Sequence, residues 1–155
     1  AFVLYNCYFP TGASGSKYQN MKHAFYKECS ESIRDNLAYG KEVVLCGDFN
    51  TARDNRDVAE VLREKVGPGF LPEDRKDIEN LFSLGLIDTF RIKTEDSGHY
   101  TWWSSADFKT KNWGWRIDYF LISQNLKGRF LTCSHREDIV RDDHCPIVLE
   151  LGNNV

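Results

Sequence analysis

Residues 43–50 read VVLCGDFN, a short apolar run that ends in glycine, aspartate and asparagine. Such a continuous apolar run is typical of a buried strand in an α/β sheet. Ligands bind beyond the carboxyl ends of these strands, so Asp48 and Asn50 are candidate site residues. If the strand conformation continues, their side chains point the same way. The alternative is an ordinary turn that follows the strand.

The segments around this run predict a layered α/β domain. A strand is predicted over residues 1–8. A helix is predicted from about residue 17 to 39, because apolar residues recur there every four positions. These are Met21, Phe25, Cys29, Ile33 and Leu37.

The second half of the chain is predicted to be strand-rich. Residues 47–71 form a long loop, with a helical turn around Val58–Lys65. A helix starts at Pro72 and ends at Gly85. Further strands are expected near residues 86–90, 100–104, 116–122, 129–134 and 146–151.

Composition limits the classes of protein that fit. The 155 residues suffice for one domain, and the net charge of −3 argues against binding DNA by bulk charge alone. The sequence lacks the run of about 18 apolar residues that a membrane-spanning helix needs. Five widely spaced cysteines predict free thiols in a reducing, intracellular compartment, in the cytoplasm, nucleoid or nucleus.

Two further segments carry candidate site residues. Asp118 interrupts an apolar strand pattern, so it either pairs with Arg116 or orients a histidine. Asp143 and His144 enter the last predicted strand, where they could bind a divalent ion or form a simple loop. A thiol nucleophile at Cys145 is disfavoured, because strand neighbours point to opposite faces.

The combined set of acidic and amide oxygens with one imidazole suits a hard cation such as Mg²⁺. The sequence contains no zinc-type spacing of cysteine and histidine, no nucleophile elbow and no P-loop.

The chain closely resembles the exonuclease III / AP endonuclease family in six motifs that occur in the family's order. They are NCYFP (6–10), GDFN (47–50), LIDTFR (86–91), YTWW (100–103), NWGWRIDY (112–119) and DHCP (143–146). This resemblance implies one half of a DNase I-like four-layer α/β sandwich, with a mixed, mostly antiparallel sheet and flanking helices. Residues 1–155 are interpreted as the C-terminal half of an endonuclease/exonuclease/phosphatase domain.

The resemblance assigns catalytic roles to five residues. Asp48, helped by Asn50, would activate or orient the attacking water. His144, held by Asp118, would contact the scissile phosphate, and Tyr8 would lie near the phosphate or the leaving oxygen.

The resemblance also implies a metal shell and a substrate pocket. Asp143, Asp48 and Asn50 would belong to a Mg²⁺ site, with Mn²⁺ as an alternative ion. A metal-binding glutamate would come from the other half of the domain. The substrate would contact Trp102, Trp115, Ile117 and Arg116, and the first three would wall a pocket for a flipped-out abasic sugar.

Three functions follow. The first is a fragment of a Mg²⁺-dependent DNA-repair nuclease that acts on a duplex with an abasic site or a 3′ end, weak or inactive alone. The second is a phosphatase of the same superfamily that acts on small phosphoesters or lipids. The third is a truncated, non-catalytic module. A lone half should expose an apolar patch, so we expect self-association, pairing with the missing N-terminal half, or low stability.

The sequence departs from the family pattern in three places. The loop between Thr101 and Trp115 is one residue short and lacks the usual aromatic and basic residues. The segment 65–70 lacks the asparagines often found there for phosphate contact. Asp142 replaces a common serine and adds negative charge beside the metal-site aspartate.

Overall fold

The structure is a computed structural model that describes residues 1–64, 67–139 and 142–153. Within these ranges it has helices and strands joined by loops and short 3₁₀ turns. In chain order they are β1 (Val3–Tyr8), α1 (Ser16–Ala38), β2 (Val43–Asp48), α2 (Pro72–Ser83), β3 (Ile87–Asp88), α3 (Ala106–Thr110), β4 (Asp118–Ile122), β5 (Phe130–His135) and β6 (Ile147–Leu151).

Two sheets form from these strands. The first has the order β1-β2-β4-β3, with β1 parallel to β2 and the other pairs antiparallel. The second is the antiparallel β5–β6 pair. This arrangement confirms the predicted α/β class with a mixed, mostly antiparallel sheet. In the β2–β4 ladder Asp48 lies opposite Asp118, so two candidate carboxylates meet at adjacent strand ends.

The two faces of the first sheet are covered differently. One face packs on α1 and α2 through a core that includes Tyr26, Leu45 and Leu121, all nearly inaccessible to solvent. On the other face, Val44 and Ile122 pack with apolar residues of the β5–β6 pair. Burial of these side chains is the main stabilising contribution to the fold.

The buried face of α1 differs from the predicted one. Cys29 and Ile33 are buried as expected, but Met21 is 49% exposed, and Lys22 is fully buried instead. A four-residue spacing drifts around a helix of 3.6 residues per turn, so a long stripe leaves the core face. A buried lysine was not predicted, because lysine is almost never fully buried without a partner.

Two strand predictions were wrong: one strand is absent from the described residues and the other is shorter than expected. The strand expected near 100–104 is absent from the described residues, where Trp102 instead forms isolated bridges to Trp115 and His144. The strand expected over 86–90 is reduced to Ile87–Asp88, because a 3₁₀ turn begins at Phe90. Most of the predicted loop after β2 is irregular, with 3₁₀ turns at Asn55–Asp57 and Glu60–Leu62; part of segment 65–70, Lys65 and Val66, lies outside the described residues.

The face of β1 that points away from α1 and α2 is uncovered. Leu4 is 57% exposed and Tyr8 68% exposed, on the alternate positions of β1. Within the described ranges β1 pairs only with β2, so its other edge is open. An exposed apolar patch was the expectation for half of a two-sheet domain, and what covers it stays a prediction.

Two further sequence predictions concern membranes and thiols. None of the helices in the described parts of the chain is long and apolar enough to cross a bilayer. All five cysteines are free thiols, as predicted.

Candidate active site

The end of β2 turns back on itself and places Asn50 against Asp48. Asn50 has a left-handed backbone (φ 47°), so the strand does not continue. The backbone N–H of Asn50 donates to Asp48 Oδ1 at 2.8 Å, and its Nδ2 donates to Asp48 Oδ2 at 3.2 Å. Asp48 and Asn50 therefore lie close together as predicted, but a turn brings them together rather than a continued strand. The two alternatives considered from the sequence, a pair of neighbouring polar groups and a turn, are both present.

The glycine before Asp48 is required by the backbone. Gly47 has φ 125°, and a Cβ there would lie 2.0 Å from the carbonyl oxygen of Cys7 on β1. Only glycine adopts this conformation without strain. The close approach of β1 and β2 thus fixes the strand end that carries Asp48.

His144 and Asp118 form a hydrogen-bonded pair beside this turn. His144 Nδ1 lies 2.9 Å from Asp118 Oδ2, and His144 Nε2 lies 3.9 Å from Asp48 Oδ2. The carboxylate of Asp118 orients the ring and leaves Nε2 directed toward Asp48. An imidazole held by a carboxylate at one nitrogen can use the other to bind or transfer a proton.

The pKa values of Asp48 and His144 are both raised, but for different physical reasons. Burial raises the pKa of Asp48 to about 6, opposed by the hydrogen bond from Asn50 and reinforced by the nearby charge of Asp118. Burial alone would lower the pKa of His144, but the hydrogen bond and charge of Asp118 outweigh it, so this pKa is raised. Asp48 can therefore exchange a proton near neutral pH, while His144 favours its cationic form.

These residues lie in a cleft of about 600 Å³. This volume falls within the range of roughly 300–1,000 Å³ for small-molecule sites. Asp48, Asn50, Asp143 and His144 line its polar side, and Tyr8 stands at its rim on β1. The remaining lining is largely apolar and aromatic: Leu62, Trp102, Phe108, Trp113, Trp115 and Ile117.

Trp102 connects the apolar wall to the polar side. Its indole Nε1 donates to Asp143 Oδ2 at 3.0 Å. Its backbone exchanges two 2.9 Å hydrogen bonds with Trp115, and the N–H of Trp103 donates to the carbonyl oxygen of Asp143. These hydrogen bonds hold the tryptophan wall, formed by Trp102 and Trp115, in a fixed position relative to the Asp143–His144 segment.

The sequence of this chain matches the profile of the Endonuclease/Exonuclease/phosphatase family over residues 2–137. The chain belongs to this family. Asp143 and His144 lie beyond the matched segment.

Two similar proteins are named as nucleases. The chain is 33% identical over 154 residues to a Streptococcus pneumoniae exodeoxyribonuclease, covering 97% of this chain and 56% of the relative. It is 30% identical over 150 residues to a Dictyostelium discoideum DNA-(apurinic or apyrimidinic site) endonuclease, covering 94% and 42%. The predicted resemblance to the exonuclease III / AP endonuclease family is confirmed, and the chain spans about half the length of these relatives.

A solved structure confirms the predicted fold. The 3′-5′ exonuclease from Neisseria meningitidis superposes with a TM-score of 0.87 at 25% identity, covering 96% of this chain and 60% of the exonuclease. The chain therefore has a DNase I-like α/β fold, as the sequence motifs predicted, and its interpretation as the C-terminal half of a domain stays a prediction.

The prediction for Arg116 is corrected by the structure of this family member. Arg116 was expected to contact substrate or to pair with Asp118, but its side chain is 1% exposed. Its Nε donates to Asp57 at 2.7 Å and its Nη2 donates to Asp88 at 2.7 Å. Both faces of the guanidinium fork are occupied by carboxylates remote in sequence, so it is a structural ion cluster.

Three pocket residues were missed by sequence reasoning. Leu62, Phe108 and Trp113 line the cleft. Phe108 and Trp113 stack edge-to-face with ring centroids 5.5 Å apart. The aromatic-rich stretch 102–115 was the only signal for Phe108 and Trp113, and aromatic residues are more often used for core packing than for ligands, while Leu62 had no signal.

The donor set fits a hard cation only in part. Asp48 and Asn50 offer oxygen atoms at a partly desolvated strand end, where a cation would offset the charge of Asp48. Within the described residues no group of three or more His, Cys, Asp or Glu side chains could hold a metal ion. Mg²⁺ commonly takes only one or two protein carboxylates and keeps several waters, so a partial shell matches its chemistry.

Proposed function

We propose that this chain carries the imidazole half of a divalent-metal-dependent phosphodiesterase site that acts on DNA. The observation that carries the proposal is the Asp118–His144 pair, whose free nitrogen points toward Asp48 at the bottom of an aromatic cleft. The named activities of the relatives support DNA as the substrate class.

In this proposal His144 and Asp48 have different roles at the same scissile phosphate. The raised pKa of His144 keeps it cationic, so its Nε2 stabilises the negative charge that develops on a phosphate oxygen. Asp48, with a pKa of about 6, orients and deprotonates the attacking water. Asn50 fixes Asp48 through two hydrogen bonds, and Tyr8 lies within reach of the leaving oxygen at the rim.

Asp48, Asn50 and Asp143 would hold a Mg²⁺ ion, with Mn²⁺ as an alternative. A bound ion would supply positive charge at the phosphate and would favour deprotonated water. The Trp102 indole hydrogen bond orients one oxygen of Asp143.

The aromatic wall supports recognition of a flipped-out, base-free sugar. Trp102, Trp115 and Ile117 form an apolar surface directly beside His144. Extrusion costs least where no base is stacked, so such a wall selects abasic sites by shape.

The exposed side of β1 supports a requirement for further polypeptide. Leu4 and Tyr8 are more than half exposed, and the outer edge of β1 is open in the described structure. We propose that the rest of the domain, which corresponds to the N-terminal half of the relatives, covers this side and supplies further metal ligands. The chain alone is expected to cleave weakly or not at all, and to self-associate.

The test is cleavage of an abasic duplex with Mg²⁺ by this chain, with and without the remaining half of the domain. The double variant Trp102→Ala/Trp115→Ala should lose abasic-site cleavage. Tyr39→Ala is the aromatic control, because Tyr39 is 82% exposed at the end of α1. Unchanged cleavage by the double variant would contradict recognition of the abasic sugar by the tryptophan wall. Hydrolysis of small phosphoesters without cleavage of the duplex would favour a phosphatase of the same family, and no turnover even in the completed domain would favour a binding module.

A further inference from the structure

Lys22 is a charged side chain buried below the candidate active site. It lies on α1 with no exposure to solvent. Its Nζ donates to the backbone carbonyl oxygen of Asn50 at 2.8 Å and lies 3.0 Å from Asp74 Oδ1. A charge in this environment is costly unless it is paired and hydrogen-bonded, so both contacts are needed to keep it there.

Asp74 is the partner that holds the ammonium. It is also fully buried, at the first turn of α2. Besides Lys22, its carboxylate accepts hydrogen bonds from Gln19 Nε2 at 2.7 Å, from the N–H of Gly69 at 2.8 Å and from the N–H of Leu71 at 3.2 Å. Asp74 therefore joins α1, α2 and the loop that precedes α2.

The loop before α2 packs directly on the Asn50 turn. The N–H of Ala52 donates to the carbonyl oxygen of Gly69 at 2.8 Å. A Cβ at Gly69 would lie only 2.8 Å from the carbonyl oxygen of Asn50, and Gly69 has φ 95°. The carbonyl that accepts from Lys22 is thus confined between the ammonium and Gly69.

The conformation of Asn50 needs such support. A left-handed backbone is uncommon for residues other than glycine and persists where the surroundings fix it. In this conformation the backbone N–H of Asn50 donates to Asp48, and its side-chain amide donates both to Asp48 and to the carbonyl oxygen of Phe9 at 2.9 Å. A charge-assisted hydrogen bond to its carbonyl oxygen is among the stronger contacts available to hold it.

We propose that Lys22 is a positioning residue for the candidate active site, in which its ammonium, held by Asp74, fixes the Asn50 turn that orients Asp48. No local pattern indicates this role, because Lys22 lies 28 residues from Asn50 and is flanked by ordinary helix residues. The effect of Lys22 on catalysis rests on the proposed function, whereas its support of the Asn50 turn does not.

The experiment measures amide hydrogen exchange in the full chain carrying Lys22→Met, which removes the ammonium and keeps most of the side-chain volume. Exchange of the Asn50 amide, and of the Gly69 amide, is expected to accelerate at least 10-fold. Amides of the β2–β4 ladder, such as Leu45, should be unchanged. Lys27→Met is the matched control, because Lys27 is exposed on the same helix.

Two outcomes would overturn the proposal. One is unchanged exchange at Asn50 in Lys22→Met, and the other is equal acceleration throughout the β2–β4 ladder, which would indicate a general loss of stability. If the methionine variant does not fold, Lys22→Gln is used, since its polar end is too short to reach Asn50, and the same local acceleration is expected.

A second measurement separates this proposal from the proposed function. In the completed domain, Lys22→Met should lower kcat for abasic-duplex cleavage about 10-fold with little change in KM, since substrate contacts are retained. Local acceleration of exchange in a protein without any nuclease activity would contradict the proposed function and leave the positioning role intact. A nuclease whose kcat and Asn50 exchange are both unaffected would contradict the positioning role alone.

Discussion

The Arg116 cluster and the candidate site both combine carboxylates with a basic side chain close to the start of β4, and they differ in how far their charges are paired. In the Arg116 cluster, Asp57 and Asp88 are at most 4% exposed, and both bind the guanidinium at 2.7 Å. In the candidate site, His144 is 33% exposed, and its Nε2 lies 3.9 Å from the nearest oxygen of Asp48.

The difference separates a structural cluster from a chemical one. A guanidinium with both forks bound can neither change protonation nor accept a substrate. The imidazole has one nitrogen engaged and one directed toward the cleft, next to a carboxyl whose pKa is raised by burial. Perturbed groups of this kind mark functional sites, although structural ion pairs also perturb pKa values.

The largest effect is expected from His144→Gln, which should lower cleavage of an abasic duplex by the completed domain by about 10²–10⁴-fold. The amide cannot provide the cation that the proposed mechanism places on the phosphate. Denaturant unfolding should be nearly unaffected, because the ring is partly exposed. Cleavage within a factor of two of the unmodified protein would remove His144 from the mechanism.

Arg116→Met should have the opposite profile and reduce the free energy of unfolding by about 3–5 kcal/mol. The substitution leaves Asp88 as a buried carboxylate without its cation, whereas Asp57 keeps its ion pair with Arg91. Urea unfolding followed by circular dichroism measures this loss. A variant as stable as the unmodified protein would show that the two clusters do not differ as described.

An effect of intermediate size is expected from His135, which packs near the Arg116 cluster. Burial, with the charge of Arg116 second, lowers its pKa from 6.5 to about 3. Below pH 6.5 the unfolded chain binds a proton that the folded chain does not, so folding stability falls as pH drops toward 3.

In His135→Phe, which can preserve the stacking on Phe90, this loss should be smaller. At pH 4 the variant is expected to recover on the order of 1–2 kcal/mol, below the limit of about 1.4 kcal/mol per pH unit. Unfolding curves at pH 7 and pH 4 provide the measurement. Identical acid sensitivity in both proteins would place the acid-labile group elsewhere.

The smallest effect is expected from Arg136→Ala. Arg136 pairs with Asp138 at 2.8 Å, but both side chains are largely exposed. Solvent screens pairs of this kind, so the free energy of unfolding should stay the same within the error of the measurement. A larger loss would mean that exposure is a poor criterion for separating the clusters.

The sequence predicted the Asp118–His144 pair only through the family resemblance, because the residues alone left open whether Asp118 pairs with Arg116 or orients a histidine. It failed for Arg116, since the nearest carboxylate in sequence was not the nearest in space. The true partners, Asp57 and Asp88, are 59 and 28 residues away, and long-range pairing leaves no local pattern.

Local patterns likewise predicted the principal elements but not their details. Helix α1 was recovered within about one residue at each end, because its apolar spacing is long and regular. Lys22 and Asp74 were not recognised, since a buried ion pair resembles two solvated charges in sequence. The turn at Asn50 was one of two open alternatives, and the sequence did not predict that the turn itself would place Asn50 against Asp48.

The tryptophan wall also has an optical consequence. All four tryptophans of the chain lie within residues 102–115, and Trp102, Trp113 and Trp115 line the cleft. Intrinsic fluorescence of this protein therefore originates almost wholly at one place. A ligand that enters the cleft should alter the emission spectrum without any attached dye, which provides a label-free titration of occupancy.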